Sequence, residues 1–293
     1  MNDRPVILVT GANGQLGMEF RDLESSYPDY EFIFLSRAQL SIEDPQAIDR
    51  FFADHHIDYC INCAAYTAVD KAETDREAAF SGNAGAPGYL ALTAAKYHAA
   101  FFHFSTDYVF NGQATVPYKE DQLTDPINFY GASKREGELR VLDANPRAVV
   151  IRTSWVYSHH GKNFVKTMLR LMAEKPEISV VNDQVGSPTY ARDLAAAVMY
   201  IITTHHPSDI VPGIFNYANR GVISWFEFAL AIREISGLHC VVNPVPASGY
   251  PTPAKRPAYS VLETSKIREV YNVQIPEWKQ SLESCLQRLN NGA

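Results

Sequence analysis

The chain has 293 residues, with 26 Lys or Arg and 33 Asp or Glu, so its formal net charge is −7. Hydrophobic residues make up 46% and charged residues 20%, as in a globular protein of about two domains. The acidic balance argues against a nucleic-acid partner, and no apolar run approaches the roughly 20 residues that span a membrane. The first residues enter a strand without a leader pattern, so we expect a cytoplasmic protein without a membrane partner.

Apolar runs and helical patterns alternate through the first half of the chain. The runs predict strands over residues 5–10, 31–35, 59–64, 101–105 and 148–152. The intervening patterns predict helices over residues 14–23, 45–53, 71–97 and 128–142. The long Ala-rich helix is expected to break near Gly82, Gly85, Pro87 and Gly88.

The second half is less regular. Its patterns predict helices over residues 164–173, 191–202, 225–236 and 278–289, and short strands over 179–181 and 214–217. Residues 244–257 contain five prolines and are expected to form an ordered loop or a linker.

The first strand ends in a glycine-rich turn, Gly11-Ala12-Asn13-Gly14-Gln15-Leu16-Gly17. Gly11 permits a tight turn, Gly14 lets the backbone approach a pyrophosphate, and Gly17 allows a helix to pack closely on the strand. The exposed N–H groups of the following helix would then bind the phosphates. This turn predicts a dinucleotide cofactor.

Ser36 and Arg37 end the second strand, where an acidic residue would accept hydrogen bonds from the ribose hydroxyls of NAD. No acidic residue stands there, and both side chains could donate to a 2′-phosphate. The sequence therefore favours NADPH, with NADH as the alternative.

Tyr130 and Lys134 are spaced so that both lie on one face of the predicted helix. A lysine ammonium beside a tyrosine stabilises the phenolate, so that the tyrosine can exchange a proton with a carbonyl or alcohol oxygen. The fourth strand ends in Ser105 and Thr106, whose hydroxyls could donate to the same oxygen.

The alternating strands and helices predict an α/β fold, a Rossmann-type doubly wound parallel sheet with a smaller α/β substrate-binding domain. We expect the dinucleotide-binding domain to comprise residues 1–156, with 191–217 returning to it. Residues 157–190 and 218–293 then form the substrate-binding domain.

The sequence resembles the extended short-chain dehydrogenase/reductase family over essentially its whole length. The resemblance rests on the segments VTGANGQLG, NCAAYTAVDKAE, FSTDYVFNG, IRTSWVY, NFVKTML and DQVGSPT, and on PxNxYGxSKxxGE and RPxxSxLxxxK patterns. It implies reduction of the C4 ketone of dTDP-4-dehydro-L-rhamnose to dTDP-L-rhamnose by NADPH, a step of cell-surface polysaccharide biosynthesis.

The resemblance also implies roles for individual residues. Thr106, Tyr130 and Lys134 match the catalytic residues. The cofactor positions are Gly11, Asn13, Gly14, Gln15, Leu16, Ser41, Ile42, Ala64, Ala65, Tyr66 and Thr67, with Tyr130 and Lys134. The substrate positions are Thr106, Asp107, Tyr130, Trp155, Asn163, Gln184 and Arg256.

Some family members share Mg²⁺ through glutamates across a dimer interface, which leaves a homodimer open. Glu19 matches one such position, but Arg192 stands near the place of a second glutamate, so we expect no metal. Three alternatives to the reduction are another nucleotide-sugar 4-ketoreductase, an epimerase or dehydratase that retains NAD, and a non-catalytic regulatory subunit of the same fold.

Overall fold

The computed structural model describes residues 4–292, which fold around a central parallel sheet. The strands are β1 (Val6–Thr10), β2 (Glu31–Leu35), β3 (Tyr59–Asn62), β4 (Ala100–Thr106), β5 (Val149–Thr153), β6 (Val156–Tyr157), β7 (Glu177–Val181), β8 (Val185–Gly186), β9 (Thr189–Tyr190), β10 (Gly213–Asn216), β11 (Ile223–Ser224) and β12 (Val241–Val245). The helices are α1 (Gln15–Leu23), α2 (Pro45–Asp54), α3 (Arg76–Phe80), α4 (Ala86–Lys96), α5 (Phe129–Ala144), α6 (Phe164–Glu174), α7 (Ala191–Thr204), α8 (Trp225–Ile235), α9 (Ser265–Tyr271) and α10 (Trp278–Asn290).

Six strands form the central sheet in the order β10-β5-β4-β3-β1-β2, and every neighbouring pair is parallel. Both faces are covered, so these strands are largely apolar, with buried polar exceptions such as Asn62, His103 and Arg152. Ile7 and Val9 face a core that includes residues of α1, α7 and α9, whereas Leu8 faces a core built with α2, α4 and α5. The chain leaves β1 first toward β2 and then toward β3, and this reversal opens a crevice at the carboxyl ends of the strands.

A second core lies outside this sheet. It packs α6, α8 and α10 against the parallel pair of β7 and β12. Later parts of the chain return to the central sheet. Strand β10 pairs with β5, and Ile267 and Tyr271 of α9 pack in the first core. None of the helices among residues 4–292 has the length and apolar character that crossing a bilayer requires.

The expected α/β fold with a parallel sheet is confirmed. Each other predicted strand and helix is present, with ends that differ by at most two residues. The predicted helix over 71–97 is corrected: it begins at Arg76 after a 3₁₀ turn and does not break at its glycines. Residues Ser81–Gly85 form a single π turn between α3 and α4. This wider turn accommodates the glycines and Pro87, so the helix continues through them.

Six of these strands and helices were not predicted from the sequence: β12, α9 and the two-residue strands β6, β8, β9 and β11, which are too short to show an apolar pattern. Strand β12 contains Pro244, which ordinarily speaks against a strand, but β12 pairs only with β7 and so can lack one ladder donor. Helix α9 is only seven residues long, too short for a clear apolar period. The proline-rich segment is irregular only beyond Val245, apart from a short 3₁₀ turn at Ala247–Gly249.

Candidate active site

A cleft of about 680 Å³ opens at the carboxyl ends of β1, β2 and β3. Its lining brings together most of the residues predicted to hold a cofactor: Gly11, Asn13, Gly14, Ser36, Arg37, Ser41, Ile42, Ala64, Ala65, Tyr66 and Thr67. Gln15, Leu16, Tyr130 and Lys134 are not part of this lining. A crevice at this point of a doubly wound sheet is the usual place for a nucleotide.

The glycine turn has the geometry that its sequence predicts. Gly11 adopts φ +65°, and a Cβ there would lie 2.5 Å from the backbone nitrogen of Ala64. Only glycine fits this backbone position, because any side chain would strain the turn and clash with the backbone that follows β3. The Gly14 N–H donates to the Gly11 carbonyl at 2.9 Å, which closes the turn directly before α1. The residues therefore fit a dinucleotide whose phosphates meet the start of α1.

The end of β2 presents a hydroxyl and a guanidinium to the cleft. The Ser36 Oγ donates to Gln39 Oε1 at 2.7 Å. The Arg37 side chain is 84% exposed, and its Nη2 lies 2.6 Å from Glu43 Oε2 at the rim. An exposed pair of this kind is worth about 1 kcal/mol or less, so a phosphate could draw Arg37 away from Glu43 at little cost.

The carboxyl end of β4 carries the proposed hydrogen-bond donors. Thr106 Oγ1 donates to Asp107 Oδ1 at 2.9 Å, and it accepts the Tyr108 N–H at 3.2 Å. Helix α5 begins beside this turn because Asn128 caps it, accepting the Gly131 N–H at 2.7 Å. A Cβ on Gly131 would lie 2.1 Å from the Tyr108 carbonyl oxygen, so glycine is needed for α5 to approach this closely.

Helix α5 then places Tyr130 and Lys134 next to the end of β4. The Tyr130 ring meets the Tyr108 ring edge-on at 5.8 Å between centroids. The Lys134 Nζ is buried and donates to the Phe104 carbonyl at 2.6 Å. The structure thus brings the three residues predicted to be catalytic to one end of β4.

Burial dominates the proton affinities of this group. It lowers the pKa of Lys134 to about 8, against the opposing influence of the Glu138 carboxylate. It raises the pKa of Tyr130, a rise that Asp107 reinforces and the Thr106 hydroxyl counteracts. It also raises the pKa of Asp107 to about 7, while hydrogen bonding to Thr106 acts in the opposite direction. A tyrosine in this state is a proton donor that needs a neighbouring cation to stabilise its phenolate.

Trp155 occupies a strained position beyond β5. Its φ is +48°, and its indole stacks on that of Trp225 at 3.5 Å between centroids. Gly186 leaves the room for this indole, since a Cβ there would lie 2.6 Å from Trp155 Cε2. Such strain persists only where the surroundings enforce it, often at binding sites. Gln184 is buried two residues before Gly186, on the same connection.

The remaining predicted substrate residues already have protein partners. Arg256 makes a two-pronged pair with Asp70, with nitrogen–oxygen distances of 3.1 and 2.9 Å. Asn163 caps α6 by accepting the Lys166 N–H, and its Nδ2 donates to Gln15 Oε1 at 2.8 Å. Asn163 therefore ties α6 to the first residue of α1.

A separate, partly buried group of titratable side chains, the Glu19 cluster, lies on the α1 side of the sheet. Each member has one carboxylate oxygen or imidazole nitrogen within 4.8 Å of those of the others; the members are Glu19, Asp22, His159 and His160. Two guanidinium groups approach the same carboxylate, with Arg192 Nη1 at 3.7 Å and Arg288 Nη1 at 3.9 Å from Glu19 Oε2. Mg²⁺ prefers oxygen ligands and would be repelled by these cations, so the residues do not fit it.

Several residues of the site were not predicted from the sequence. Asn83, in the π turn, accepts the Tyr66 N–H at 2.8 Å and donates to the Ser133 Oγ at 3.0 Å. Asp70 and Trp225 hold Arg256 and Trp155, respectively. The glycines around Asn83 are the one signal in the sequence, and glycines in a helical pattern predict a break in the helix.

A phenol, a buried lysine and a hydroxyl that converge beside a dinucleotide crevice suit hydride transfer at a carbonyl or alcohol carbon. The class of protein is therefore an NAD(P)-dependent oxidoreductase with a Rossmann-type fold. The family model described as "RmlD substrate binding domain" matches residues 5–291, and the chain belongs to this family.

Three known proteins illustrate the relationship. The chain is 43% identical to the spore coat polysaccharide biosynthesis protein SpsK of Bacillus subtilis, over 96% of each chain. It is 41% identical to a dTDP-4-dehydrorhamnose reductase of Sinorhizobium fredii, over 94% of each. The crystal structure of dTDP-4-dehydrorhamnose reductase from Bacillus anthracis in complex with NADP superposes with a TM-score of 0.92, at 36% identity, covering 97% of this chain and 99% of that one.

Proposed function

We propose that this protein reduces the C4 ketone of dTDP-4-dehydro-L-rhamnose to the alcohol of dTDP-L-rhamnose, with NADPH as the reductant. The observation that carries the proposal is the convergence of Thr106, Tyr130 and Lys134 at the end of β4, beside a cleft shaped for a dinucleotide. The relatives named as reductases of this sugar support the choice of substrate.

NADPH, when bound, supplies the hydride that adds to the ketone carbon. Tyr130 donates its phenolic proton to the ketone oxygen, so that one hydride and one proton convert C=O into CH–OH. The Thr106 hydroxyl donates a hydrogen bond to the same oxygen as negative charge develops on it. The Lys134 ammonium stabilises the Tyr130 phenolate and returns the proton that Tyr130 has given up.

The proposal assigns sugar-nucleotide binding to residues that follow β4 and β5 and to two later loops. Asp107 Oδ2 is buried without a hydrogen-bond partner and would accept from a sugar hydroxyl. The strained Trp155 indole would lie against the sugar, and Gln184 would bind it from the connection that carries Gly186. Arg256 would leave Asp70 for the diphosphate, a stronger anion than a single carboxylate. Asn163 would not contact the sugar nucleotide itself but would hold Gln15, at the start of α1, in place.

The cofactor preference can be tested separately. If Arg37 binds the 2′-phosphate, Arg37→Ala should raise KM for NADPH about tenfold and leave KM for NADH nearly unchanged, since one charged hydrogen bond is lost. Ratios of kcat/KM for the two cofactors measure the effect. Arg50→Ala, on α2, is the control for removing a surface cation. An equal loss with both cofactors would contradict the assignment.

The reaction is tested by the loss of NADPH absorbance on addition of dTDP-4-dehydro-L-rhamnose, with the product identified by mass and NMR. Formation of dTDP-L-rhamnose supports the proposal. Turnover only with other dTDP-linked 4-ketosugars would replace the substrate, and a purified protein that retains NAD would favour the epimerase or dehydratase. Cofactor binding without any turnover would favour the regulatory subunit.

We also propose that residues 1–156 and 191–217 form the cofactor-binding part, joined by α9, and that the rest binds the sugar nucleotide. The packing of α9 in the first core supports this one change to the expected boundaries. Four free cysteines, including an unpaired Cys60 and Cys63, support a cytoplasmic location, where thiols stay reduced.

A further inference from the structure

Beneath the catalytic residues, a line of four buried polar side chains crosses the sheet; we call it the lysine row. Its members are Thr10, Asn62, His103 and Lys134. The first three are exact cross-strand neighbours, because β1 and β3 pair Thr10 with Asn62, and β3 and β4 pair Asn62 with His103. None of the four is more than 2% exposed. The reaction described above uses only Lys134.

His103 stands where the strand pattern calls for an apolar residue. It faces the same side of β4 as Phe101, and the two rings lie parallel at 6.5 Å. Burial and the nearby Lys134 hold its pKa well below the usual range, so the imidazole is neutral. A neutral histidine has one protonated ring nitrogen, which donates, and one unprotonated ring nitrogen, which accepts. The position of the proton therefore decides whether Lys134 faces a donor or an acceptor.

The hydrogen bonds of Asn62 fix that choice. Asn62 Oδ1 accepts the Thr10 hydroxyl at 2.8 Å and the Ala64 N–H at 3.1 Å. A backbone N–H can only donate, so this atom is the amide oxygen and Nδ2 points to His103. Nδ2 lies 3.0 Å from His103 Nδ1 and donates to it. The imidazole proton is therefore on Nε2.

His103 Nε2 lies 3.5 Å from Lys134 Nζ. An Nε2–H that points at an ammonium is unfavourable, whereas a neutral amine could accept from it. The other titratable group that acts on Lys134 is Glu138, one turn further along α5. Glu138 favours the ammonium but shares its charge with Arg152, whose nitrogens lie 2.7 and 2.8 Å from the two carboxylate oxygens.

We propose that His103 is a positioning residue of the reductase: its Nε2–H, oriented by Asn62, destabilises the Lys134 ammonium and so makes Lys134 a ready proton source for Tyr130. The proposal rests on the proposed function for its role in turnover. The proton that Lys134 releases goes to the Tyr130 phenolate, and solvent restores it to Lys134. Without His103, Lys134 would hold its proton more tightly and re-protonate Tyr130 less readily.

The test is His103→Asn, in which the Asn oxygen can still accept from Asn62 while the Nε2–H is lost. The protonation of Lys134 is followed by NMR of the full-length protein labelled with ¹³C at the lysine ε-carbons, with Lys134→Ala to assign the signal. We expect the titration midpoint of Lys134 to rise by about one pH unit, a tenfold change in proton affinity. The alkaline limb of single-turnover hydride transfer should move in the same direction.

His159→Asn is the matched control, because His159 is equally buried but pairs with Glu19 and Asp22. It should leave both measurements unchanged. If His103→Asn does not fold, Asn62→Ala provides the test without adding charge: once the Nδ2 donor is lost, the imidazole proton can move to Nδ1, so that Nε2 accepts from Lys134 and the midpoint again rises. An unmoved midpoint in the folded variant, with only stability lost, would overturn the proposal.

The two proposals can fail independently. The NMR titration needs neither cofactor nor substrate, so a shifted midpoint without reductase activity would count against the proposed function alone. Normal reduction by His103→Asn at every pH, with the midpoint unmoved, would count against His103 alone.

Discussion

Two groups of polar side chains, one buried and one partly buried, lie on opposite faces of the central sheet and differ in how their charges are balanced. The lysine row, under α5, is joined by hydrogen bonds from Thr10 to His103 and ends in one cation. The Glu19 cluster, beside α1, brings opposite charges together: its two carboxylates meet Arg192 and Arg288, while Glu19 Oε1 also accepts the Ser158 hydroxyl at 2.6 Å.

We infer from this difference that the lysine row affects the reaction, whereas the Glu19 cluster affects stability. Lys134 is desolvated with little compensating charge, so its proton is easily exchanged. The Glu19 cluster has carboxylates and guanidinium groups in balance, and it connects α1 with α10 of the second core through Arg288. We infer that the first group tunes the reaction and the second holds the two cores together.

The largest expected effect is on the reactive side. Tyr130→Phe should slow hydride transfer by about 10²–10⁴-fold, because the proton donor is lost. The Kd for NADPH should stay within about twofold, since the ring remains in place. Single-turnover absorbance and calorimetry measure the two quantities. An equal loss of cofactor affinity would show that Tyr130 serves binding instead of proton transfer.

The next effect is on the cohesive side. Glu19→Gln should lower the free energy of unfolding by about 2 kcal/mol, because the two arginines lose their shared carboxylate and because the burial that raises the pKa of Glu19 offsets only part of that loss. The single-turnover rate of the folded enzyme should be unchanged. Urea denaturation measures the stability, and Glu24→Gln at the exposed end of α1 is the control. A variant that is stable but slow would contradict the separation of roles.

The smallest effect concerns pH. Burial lowers the pKa of His159 to about 4, so between about pH 4 and 6.5 the unfolded chain binds more protons than the folded one. Stability must therefore rise with pH through this window and be lost as pH falls. His159→Asn should flatten the rise by about 2 kcal/mol or less. Urea midpoints at several pH values test it, and an unchanged slope would show that His159 is not the group responsible.

The sequence predicted those features that depend on neighbours along the chain. The glycine turn, the end of β4 and the Tyr130–Lys134 spacing are each set within a few residues, and the structure places them as expected. The strands of the central sheet could be recognised because they are apolar on both faces. His103 could have drawn notice as the polar exception in an apolar strand.

The features that escaped prediction depend on distant contacts. Asp70 and Arg256 are 186 residues apart, and no local pattern joins them. The resemblance predicts that Asn163 contacts the substrate, and its hydrogen bonds to Lys166 and Gln15, which join α6 to α1, could not be read from the sequence. Asn83 was hidden because glycines signal a break far more often than a π turn.

The late return of β10 to the central sheet sets the order in which the molecule can fold during synthesis. A nascent chain that ends after β5 has five of the six sheet strands, but it lacks α7 and α9, which cover one face. The apolar residues on that face would remain exposed to solvent until most of the chain has left the ribosome. Long sequence separations of this kind slow folding, so the nascent chain should depend on chaperones more than its regular first half suggests.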